Sequence, residues 1–430
     1  MKNRDMEFVY KARIADRILE RKLEGKGAVL IEGPKWCGKT TTAEQRAKSI
    51  LYMDSPEDLE SNLRMADLSP KLLLEGESPR LIDEWQLAPK LWDAIRFEAD
   101  HRHDTGLFIL TGSAVPIDED EMKHSGTGRF GWVTMRPMSL YESGESNGAV
   151  SLGSLFNSAG DIAVSNSLEL EDIAFLICRG GWPFACSLAG NTALDQAFDY
   201  VEAVIKKDIS RVDKVRRSPT TARLLMRSYA RNIGTQATLG TLVADMAPNE
   251  ESSIDEKTAS SYIEALKKIF VIEDSEAWNP NLRSKAAIRT SNTRYFVDPS
   301  IGTAILGLGP NDLINDLNTM GLMFESLCIR DLRVYADALN GQVFHFRDKY
   351  GLECDAVMHL RDGRYGLIEI KLGGDRLIEE GAKNLKDLAA KIDTDKMKHP
   401  SFLMVLTAVG KYAYRRKDGV YVVPIGCLRD

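Results

Sequence analysis

The chain lacks the cysteine pattern of a metal-binding or disulfide-stabilised protein. Six cysteines are spread over 430 residues, and none forms a Cys-x-x-Cys pair, which argues against a structural zinc site. Their wide spacing favours reduced thiols in a cytosolic protein over a disulfide framework. They are Cys37, Cys178, Cys186, Cys328, Cys354 and Cys427.

Long hydrophobic runs are also missing. No segment approaches the roughly 18 consecutive apolar residues that a membrane span needs. The N-terminus, MKNRDMEFVYKARIADRILE, is charged and amphipathic and has no apolar core of the kind found in signal peptides. We therefore expect a cytoplasmic protein with no membrane partner.

Excess positive charge is absent as well. The formal net charge is −7, so any nucleic-acid site has to be a local patch rather than a property of the whole surface. Apolar residues make up 43% and charged residues 28% of the chain, which is the balance of a soluble globular protein with several cores. The length predicts about three domains.

Short apolar strands alternate with helical segments in the first third of the chain. This alternation predicts an α/β fold with a parallel sheet that helices cover on both faces. A helix is predicted at 6–24 by the helical spacing of its apolar residues. The predicted strands are 28–31, 51–53, 81–82 and 107–110.

Two further regions follow. A Gly-, Ser- and Asn-rich stretch at about 143–168 is predicted to be a long loop or a boundary, and helical periodicity then dominates to about 275. Helices at 239–246 and 258–270, followed by strand-like pieces at 271–277 and 293–297, predict a winged-helix unit. From about 310 a separate α/β pattern begins.

Residues 33–40 match the pattern G-x-x-x-x-G-K-[ST] between a predicted strand and a predicted helix. The glycines let backbone N–H groups approach phosphates. Lys39 can reach the β- and γ-phosphates, the Thr40 hydroxyl can ligate magnesium, and the helix N-terminus attracts negative charge. We therefore predict a site for ATP or ADP with Mg²⁺. Its predicted nucleotide-binding residues are Gly33, Pro34, Lys35, Trp36, Cys37, Gly38, Lys39, Thr40 and Thr41.

Polar residues at later strand ends supply the expected catalytic partners. Asp83 is predicted to hold magnesium through water, and Glu84 to orient or activate the attacking water. Thr111 and Ser113 follow the strand at 107–110 and are predicted to contact the γ-phosphate or the water, with an ordinary strand-ending turn as the alternative. Arg129 is either an arginine that senses the γ-phosphate, from its own or a neighbouring subunit, or a solvated side chain.

Several motifs occur in a fixed order along nearly the whole chain: GPKWCGKTT, LIDEWQLAP, FILTGSA and GTGRF, then Gly180-Gly181-Trp182-Pro183, YVEAVIKKDISRV and Phe324-Glu325-Ser326-Leu327. This set resembles one branch of bacterial and archaeal AAA-type ATPases that carries a C-terminal domain of unknown function (DUF4143). The resemblance implies ATP binding, a winged-helix-like middle region and a nuclease-like C-terminal domain, but no defined cellular role. The Trp36-Cys37 pair departs from the small or polar residues that the family often has there.

Carboxylates and a lysine recur in the C-terminal part. Strand alternation puts Glu369 and Lys371 on one face, and a turn at 362–363 makes a hairpin that brings Asp355 beside Glu369. Glu325 lies on a helix that can pack near that end. The pattern resembles PD-(D/E)xK nucleases, in which such carboxylates hold Mg²⁺ or Mn²⁺ and the lysine serves the attacking water. From spacing alone, a cross-strand surface salt bridge is an equal alternative.

A local excess of positive charge lies between residues 206 and 231. Arg223, Arg227 and Arg231 recur every four residues and so share one helix face. The stretch is predicted either to contact nucleic-acid phosphates or to be a solvated helix face or subunit contact. Its members are Lys206, Lys207, Arg211, Lys214, Arg216, Arg217, Arg223, Arg227 and Arg231.

Together these patterns predict a P-loop AAA-type ATPase domain at 1–145, a helical and winged-helix-like region at 165–305, and a PD-(D/E)xK nuclease-like α/β domain at 310–430. We expect Mg-dependent ATP hydrolysis whose nucleotide state controls a tail domain acting on DNA or RNA. The alternative is a nucleotide-dependent switch that binds a protein partner and carries an inert nuclease-like domain. A small-molecule kinase is the weaker third alternative, and the oligomeric state stays open.

Overall fold

The computed structural model describes residues 9–112, 126–157, 160–213, 215–246, 254–279 and 291–430. The described chain forms two compact units. The first holds residues 9–32, 38–112 and 126–134, and the second holds residues 33–37 together with the described chain from 135 onwards. The predicted three-domain boundaries stay a prediction.

A five-stranded parallel sheet organises the first unit. Its strand order is β2-β3-β4-β1-β5, and each neighbouring pair is parallel. The predicted α/β fold with a parallel sheet is therefore confirmed for this unit. The strands are β1 (Ala28–Glu32), β2 (Ser49–Tyr52), β3 (Arg80–Asp83), β4 (Phe108–Gly112) and β5 (Phe130–Thr134). The helices are α1 (Ile14–Gly25), α2 (Lys39–Glu44), α3 (Leu59–Leu68), α4 (Pro70–Leu73) and α5 (Lys90–Arg102).

The inner strands are apolar on both faces, as expected for a parallel sheet. Residues 28–31 of β1 and all of β4 are buried. On one face, Leu30 and Leu110 belong to a core cluster with Trp92 and Ile95 of α5. Because every strand runs the same way, the ends of β1, β3 and β4 line one edge of the sheet.

The sequence predictions for this unit differ from the structure in three places. The helix predicted at 6–24 begins only at Ile14. Thr111 was expected after a strand, but β4 continues through it to Gly112. The sequence also gave no sign of β5, because an edge strand of five residues with Gly131 inside it and Trp132 exposed shows no apolar run. Ser113 lies outside the described residues.

A seven-stranded mixed sheet forms the C-terminal part of the second unit, in the order β7-β12-β13-β11-β10-β9-β8. Strands β8, β9 and β10 are antiparallel neighbours, whereas β11 is parallel to both β10 and β13. The strands are β7 (Ala163–Ser165), β8 (Gly341–Arg347), β9 (Glu353–Leu360), β10 (Tyr365–Lys371), β11 (Phe402–Thr407), β12 (Tyr412–Arg415) and β13 (Tyr421–Pro424). Helix α16 (Asp375–Lys391) connects β10 to β11 and packs Leu385 and Leu388 into the core beside Leu367.

The stretch at 143–168 contains short ordered elements, so its prediction as a long loop is wrong. It holds β6 (Val150–Ser151), α7 (Leu152–Phe156) and β7. Strand β6 pairs with β14 (Leu428–Arg429), and β7 pairs with β12. Strands of two or three residues are too short to show a period, and only their distant partners fix them.

Helices fill the middle of the second unit. They are α6 (Leu140–Ser143), α8 (Leu170–Arg179), α9 (Gly190–Ala203), α10 (Pro219–Arg231), α11 (Leu239–Met246), α12 (Glu256–Lys268), α13 (Pro299–Leu306), α14 (Pro310–Asn315) and α15 (Leu317–Ala338). After α12, antiparallel bridges join Ile272 to Phe296 and Ser275 to Thr293. This order of helices and ribbon is compatible with a winged-helix unit, which stays a prediction. In the part of the chain that the structure describes, every helix is too short or too polar to cross a membrane.

Buried ion pairs and hydrogen bonds connect α15 to segments that precede it in the chain. The Arg330 side chain is 1% exposed and lies 2.9 Å from Asp298 and 2.7 Å from Asp331. Asp298 also accepts a hydrogen bond from the backbone N of Gly181 at 3.0 Å, and Asp331 accepts one from the backbone N of Leu140 at 2.9 Å. The Gly180–Pro183 motif thus contributes to the fold through this buried cluster.

A second ion cluster lies further along α15. Arg136 donates to Glu273 at 2.8 Å and to Asp337 at 2.6 Å, and Arg333 donates to the Glu273 carbonyl oxygen at 2.8 Å. Residues 330, 333 and 337 share one face of the helix, because they are three and four positions apart. The two arginines on this face are buried, whereas Asp337 is about one-third exposed, so the buried guanidinium groups depend on these partners.

Candidate functional sites

The loop after β1 needs glycine at two positions. Gly33 has φ of 150° and Gly38 has φ of 96°, which side chains rarely allow. A Cβ at Gly33 would lie 2.0 Å from the Met135 carbonyl oxygen. Trp36 also has positive φ, at 65°, and is 52% exposed. Backbone geometry therefore explains both glycines of the pattern.

Residues 33–37 of the loop group with the second unit. Within that unit, Lys35 Nζ donates to Asp208 Oδ1 at 2.6 Å, and the ring of Trp36 lies edge-on to Tyr200 with centroids 5.8 Å apart. Lys35 was predicted to contact the nucleotide; this stays a prediction, and its side chain pairs with Asp208. Contacts to the nucleotide from Pro34, Cys37 and Thr41 stay predictions.

Asp83 is the centre of a hydrogen-bond network at the end of β3 in the first unit. Thr40 Oγ1 donates to Asp83 Oδ1 at 2.8 Å, and Thr111 Oγ1 donates to the same oxygen. Thr111 is the register partner of Asp83 on β4, which explains their proximity. Burial raises the pKa of Asp83, while the two hydroxyls and the charge of Lys39 oppose that rise. The structure thus brings together four predicted residues.

Glu84 follows in a left-handed backbone conformation, with φ of 52° and ψ of 40°. Gln86 Nε2 donates to Glu84 Oε2. Burial raises the pKa of Glu84, and the charge of Asp83 adds to the rise. A strained backbone and a carboxyl group with a raised pKa are both typical of functional sites.

The oxygen atoms at this edge suit magnesium. Mg²⁺ prefers oxygen ligands and binds through one or two protein groups with several waters. The Thr40 hydroxyl and the Asp83 carboxylate are oxygen donors 2.8 Å apart beside Lys39. The residues present therefore fit the ion, and the roles of Thr40 as a ligand and Asp83 through water stay predictions.

Arg129 lies at the end of the first sheet where the strands begin, opposite the end that carries the loop. The backbone N of Ala28, at the start of β1, donates to the Arg129 carbonyl oxygen at 3.3 Å. Since β1 and β5 are parallel, the length of β1, roughly 13 Å, separates this position from the loop edge. The Arg129 side chain pairs with Asp100 and is 51% exposed. The structure therefore places Arg129 away from the loop, and a γ-phosphate-sensing role, from its own or a neighbouring subunit, stays a prediction.

Asp355, Glu369 and Lys371 meet in the C-terminal sheet. Lys371 Nζ lies 2.7 Å from Glu369 Oε2 and 3.3 Å from Asp355 Oδ2, and the backbone N of Ile370 donates to Asp355 Oδ2 at 2.7 Å. The Glu369 side chain is 2% exposed. The group is therefore largely buried, unlike the solvated surface salt bridge that was the alternative.

Helix α15 adds Glu325, whose Oε1 accepts a hydrogen bond from the Tyr295 hydroxyl. Burial raises the pKa of Glu325 to about 8, and the charge of Asp355 adds to the rise. Burial and Asp355 likewise raise the pKa of Glu369 to about 8. Burial lowers the pKa of Lys371, but Asp355 and Glu369 outweigh it and hold that pKa above its ordinary value.

The predicted second metal does not fit this arrangement. Among the described residues, no three His, Cys, Asp or Glu side chains form a group that could hold a metal ion. Glu325 is bound to Tyr295 and Glu369 to Lys371. The expected Mg²⁺ or Mn²⁺ site at Glu325, Asp355 and Glu369 thus has no ligand set as the chain is folded.

A β-bulge places Asp355 beside a cavity. Phe344 pairs with Val357 but Phe346 pairs with Cys354, so Asp355 and Ala356 together face His345. The sequence prediction for Asp355 relied on the hairpin turn and did not include this bulge. The cavity holds about 310 Å³, and its lining includes Thr235, Tyr295, Glu325, His345, Arg347 and Asp355.

The basic stretch is partly neutralised. Arg217 is buried and lies 2.7 Å from Asp213. Its guanidinium group is therefore not available to bind a phosphate, which was one of the predicted alternatives. Lys206 and Arg223 share Glu202. Lys214 lies outside the described residues. The exposed members with no ion pair to other described residues are Lys207, Arg211, Arg216 and Arg227.

Residues 25–144 match an AAA domain. Residues 170–312 match a domain of unknown function (DUF8612), and residues 320–428 match a domain of unknown function (DUF4143). The AAA match indicates nucleotide binding and hydrolysis by the first part of the chain. The predicted AAA-type ATPase domain and DUF4143 domain are thus confirmed. The resemblance to PD-(D/E)xK nucleases is carried by none of these matches.

Two uncharacterized proteins, one from Mycobacterium tuberculosis and one from Mycobacterium bovis, are each 25% identical to this chain over 357 residues. The alignment covers 82% of this chain and 72% of each relative. Among solved structures, a Walker-type ATPase of Pyrococcus abyssi is 16% identical with a TM-score of 0.42, covering 71% of this chain and 98% of that chain. That likeness is too low to carry a conclusion.

Sequence reasoning missed three residues of these sites. Gln86 lies two positions after Glu84, so the sequence could have predicted that its amide contacts the proposed base. Tyr295 and His345 reach the C-terminal group only through tertiary contacts, and nothing in their sequence neighbourhood marks them.

Proposed function

We propose that this protein is a magnesium-dependent ATP hydrolase whose nucleotide state controls a nuclease-like C-terminal domain. The observation that carries the hydrolase part is the shared hydrogen bond at Asp83, where the hydroxyls of Thr40 and Thr111 meet one carboxylate oxygen. Such a network supports binding of the metal–phosphate group at the loop, because it orients both oxygen ligands before the nucleotide arrives. Bound magnesium supplies positive charge to the phosphate oxygens.

The side chains around the loop then have separate roles. Lys39 would bind the β- and γ-phosphates, and Thr40 and Asp83 would hold the ion. Glu84, held by Gln86, orients the attacking water and accepts its proton, for which a raised pKa is favourable. Thr111 keeps Asp83 in position.

Release of phosphate from ATP with Mg²⁺ and no other substrate tests the hydrolase. We expect Glu84→Gln to lower the turnover rate at least ~100-fold, because a general base contributes about that much, and to leave ATP binding intact. Glu24→Gln, an exposed position on α1, is the matched control. Hydrolysis that survives Glu84→Gln refutes the assigned base. No hydrolysis until a small acceptor is added favours the kinase alternative.

The nuclease-like part rests on the convergence of Asp355, Glu369 and Lys371 at the hairpin of β9 and β10. Because the described side chains offer no metal-ligand group here, cleavage of DNA and RNA is measured both in EDTA and with Mg²⁺ or Mn²⁺, for the wild type, Asp355→Ala and Lys371→Ala. We expect loss of cleavage in both variants and full activity in Asp393→Ala, an exposed control. Equal residual cleavage in all four proteins refutes the proposal.

The second candidate is a nucleotide-dependent switch that binds a protein partner. It is favoured by the absence of a metal-ligand group among the described side chains and by the pairing of the carboxylates with Tyr295 and Lys371. The two candidates differ in the response of the ATPase to nucleic acid. Stimulation by DNA or RNA supports the first, whereas an unchanged rate together with no cleavage supports the switch.

A further inference from the structure

Residues 33–37 of the loop lie against α9 and the π-helical turn that follows it, Val204–Asp208. Gly33 lies close to the Met135 carbonyl oxygen, and Cys37 Sγ donates to the same oxygen at 3.5 Å. Both ends of the segment are thus held at one point. Its two middle residues, Lys35 and Trp36, make the contacts to the helix, so a change at the loop reaches the helix through these two side chains.

Asp208 ends the π-helical turn and binds Lys35 in an ion pair. Lys35 Nζ lies 2.6 Å from Asp208 Oδ1, and the Asp208 side chain is 10% exposed whereas that of Lys35 is 43% exposed. Lysine carries its charge on a flexible four-carbon stem, so a partly exposed ammonium group can turn to a second anion. The pair can therefore open by movement of the lysine alone.

The backbone leaves regular α-helical geometry at this contact. The backbone N of Ile209 donates to the Val204 carbonyl oxygen, five residues back, at 3.1 Å. Turns of this kind are rare and occur often at functional sites. The irregular turn thus coincides with the residue that binds the loop.

Buried contacts join α9 to α15. Tyr200 of α9, the ring that the loop tryptophan contacts, has its centroid 4.3 Å from that of Trp182. Trp182 Nε1 donates to Ser300 Oγ at 3.0 Å. Ser300 Oγ donates in turn to Asp298, the carboxylate that pairs with Arg330 of α15. Close-packed side chains transmit displacement, so a change at α9 has a continuous route to the helix that contributes to the C-terminal group.

We propose that the phosphates of bound ATP take Lys35 from Asp208, so that this ion pair reports the nucleotide state to α9. MgATP carries one negative charge more than MgADP, on the γ-phosphate, and therefore competes for the lysine more strongly. After hydrolysis and phosphate release, Lys35 returns to Asp208. Asp208 is a positioning residue that acts through Lys35. This inference rests on the ATP site of the proposed function and names the contact through which its nucleotide state is read.

The ATP affinity of Asp208→Asn tests the competition. Asparagine keeps the shape of aspartate and removes the charge that holds Lys35. We expect ATP to bind roughly fivefold more tightly, which corresponds to about 1 kcal/mol, the upper value for a pair with one exposed partner. ADP should gain less. A substitution that only damaged the fold would weaken binding instead.

Isothermal titration calorimetry on the full chain with Mg²⁺ measures both affinities. The Glu84→Gln background prevents hydrolysis during the titration. Asp195→Asn removes the same charge from an exposed position of α9 and is the matched control, which should bind ATP as its parent does.

Lys35→Met removes the other partner and completes a double-mutant cycle. It should weaken ATP binding roughly fivefold or more and bring the affinities for ATP and ADP closer together. Asp208→Asn should then have no further effect, because the carboxylate acts only through the lysine. Lys48→Met, at an exposed position, is the control. If Asp208→Asn fails to fold, the loss of ATP preference in Lys35→Met carries the test.

The neighbouring ring gives a second readout. Opening of the Lys35–Asp208 pair changes the surroundings of Trp36, so ATP should alter the tryptophan emission more than ADP does. Trp36→Phe and Lys35→Met should each remove that difference.

Unchanged or weaker ATP binding by folded Asp208→Asn overturns the inference, and so does an unchanged preference for ATP over ADP in Lys35→Met. Phosphate release by the chain with Glu84 intact is measured alongside. The expected gain in affinity without any hydrolysis refutes only the hydrolase part of the proposed function. Hydrolysis without that gain refutes only this inference, whereas a wild-type chain that binds no ATP refutes both.

Discussion

Thr111→Val tests whether Asp83 depends on both of its hydroxyl donors. Valine keeps the branched shape of threonine and removes only the Oγ1 hydroxyl that donates to Asp83 Oδ1. Thr111 is 1% exposed, so solvent cannot readily supply the missing donor. The change leaves the Thr40 hydrogen bond to the same oxygen in place.

The expected loss follows from the charge on the acceptor. A hydrogen bond to a charged group contributes about 1.5–3 kcal/mol, and each 1.36 kcal/mol corresponds to a tenfold change in rate. We therefore expect kcat/KM for ATP at neutral pH to fall roughly 10- to 100-fold. The effect should be larger when magnesium is limiting, because Asp83 is the group that holds it.

The pH profile gives the loss a distinctive form. Burial raises the pKa of Asp83, and the hydroxyl of Thr111 is the first of the groups that oppose the rise. Without that donor the pKa rises further, so Asp83 stays protonated to higher pH. The acidic limb of the rate profile should move to higher pH, and part of the activity should return as pH increases.

Phosphate release over a range of pH and magnesium concentration measures this effect. Thr134→Val is the matched control, because Thr134 ends β5 at the same edge of the sheet and has no hydrogen bond to Asp83. A rate loss that is equal at every pH, or an acidic limb that coincides with that of the wild type, would refute the role of Thr111.

Three further predictions follow from the two sites and the core. Gln86→Ala frees Glu84 and should lower kcat about tenfold with little change in KM; an unchanged kcat in the phosphate-release assay contradicts it. The pKa of Glu325 is raised to about 8, so stability should fall as pH rises from 4.5 to 8 while the unfolded state loses its proton. Urea unfolding should show a smaller fall for Glu325→Gln, and equal falls contradict it. Arg330→Met leaves two buried carboxylates unpaired and should cost about 3–5 kcal/mol in the same assay; a loss no greater than that of exposed Arg361→Met argues against it.

Local spacing in the sequence determined the nucleotide-binding part of this protein. The loop around Lys39 could be predicted because its backbone conformation depends on two glycines and a following helix that lie within about eight residues of each other. Asp83 was found because an acidic residue after two apolar ones marks a strand end. The proximity of Glu369 and Lys371 could also be predicted from local spacing, because residues two positions apart on a strand lie on the same face.

Only the tertiary structure decided where distant segments meet. The position of Arg129 could not be predicted, because the register of β5 with β1 sets it. The bulge at Asp355 depends on the pairing of β8 with β9, and the Arg330 cluster joins segments up to 191 residues apart. Sequence periodicity reports the neighbours of a residue along one element, whereas these sites are made by the packing between elements.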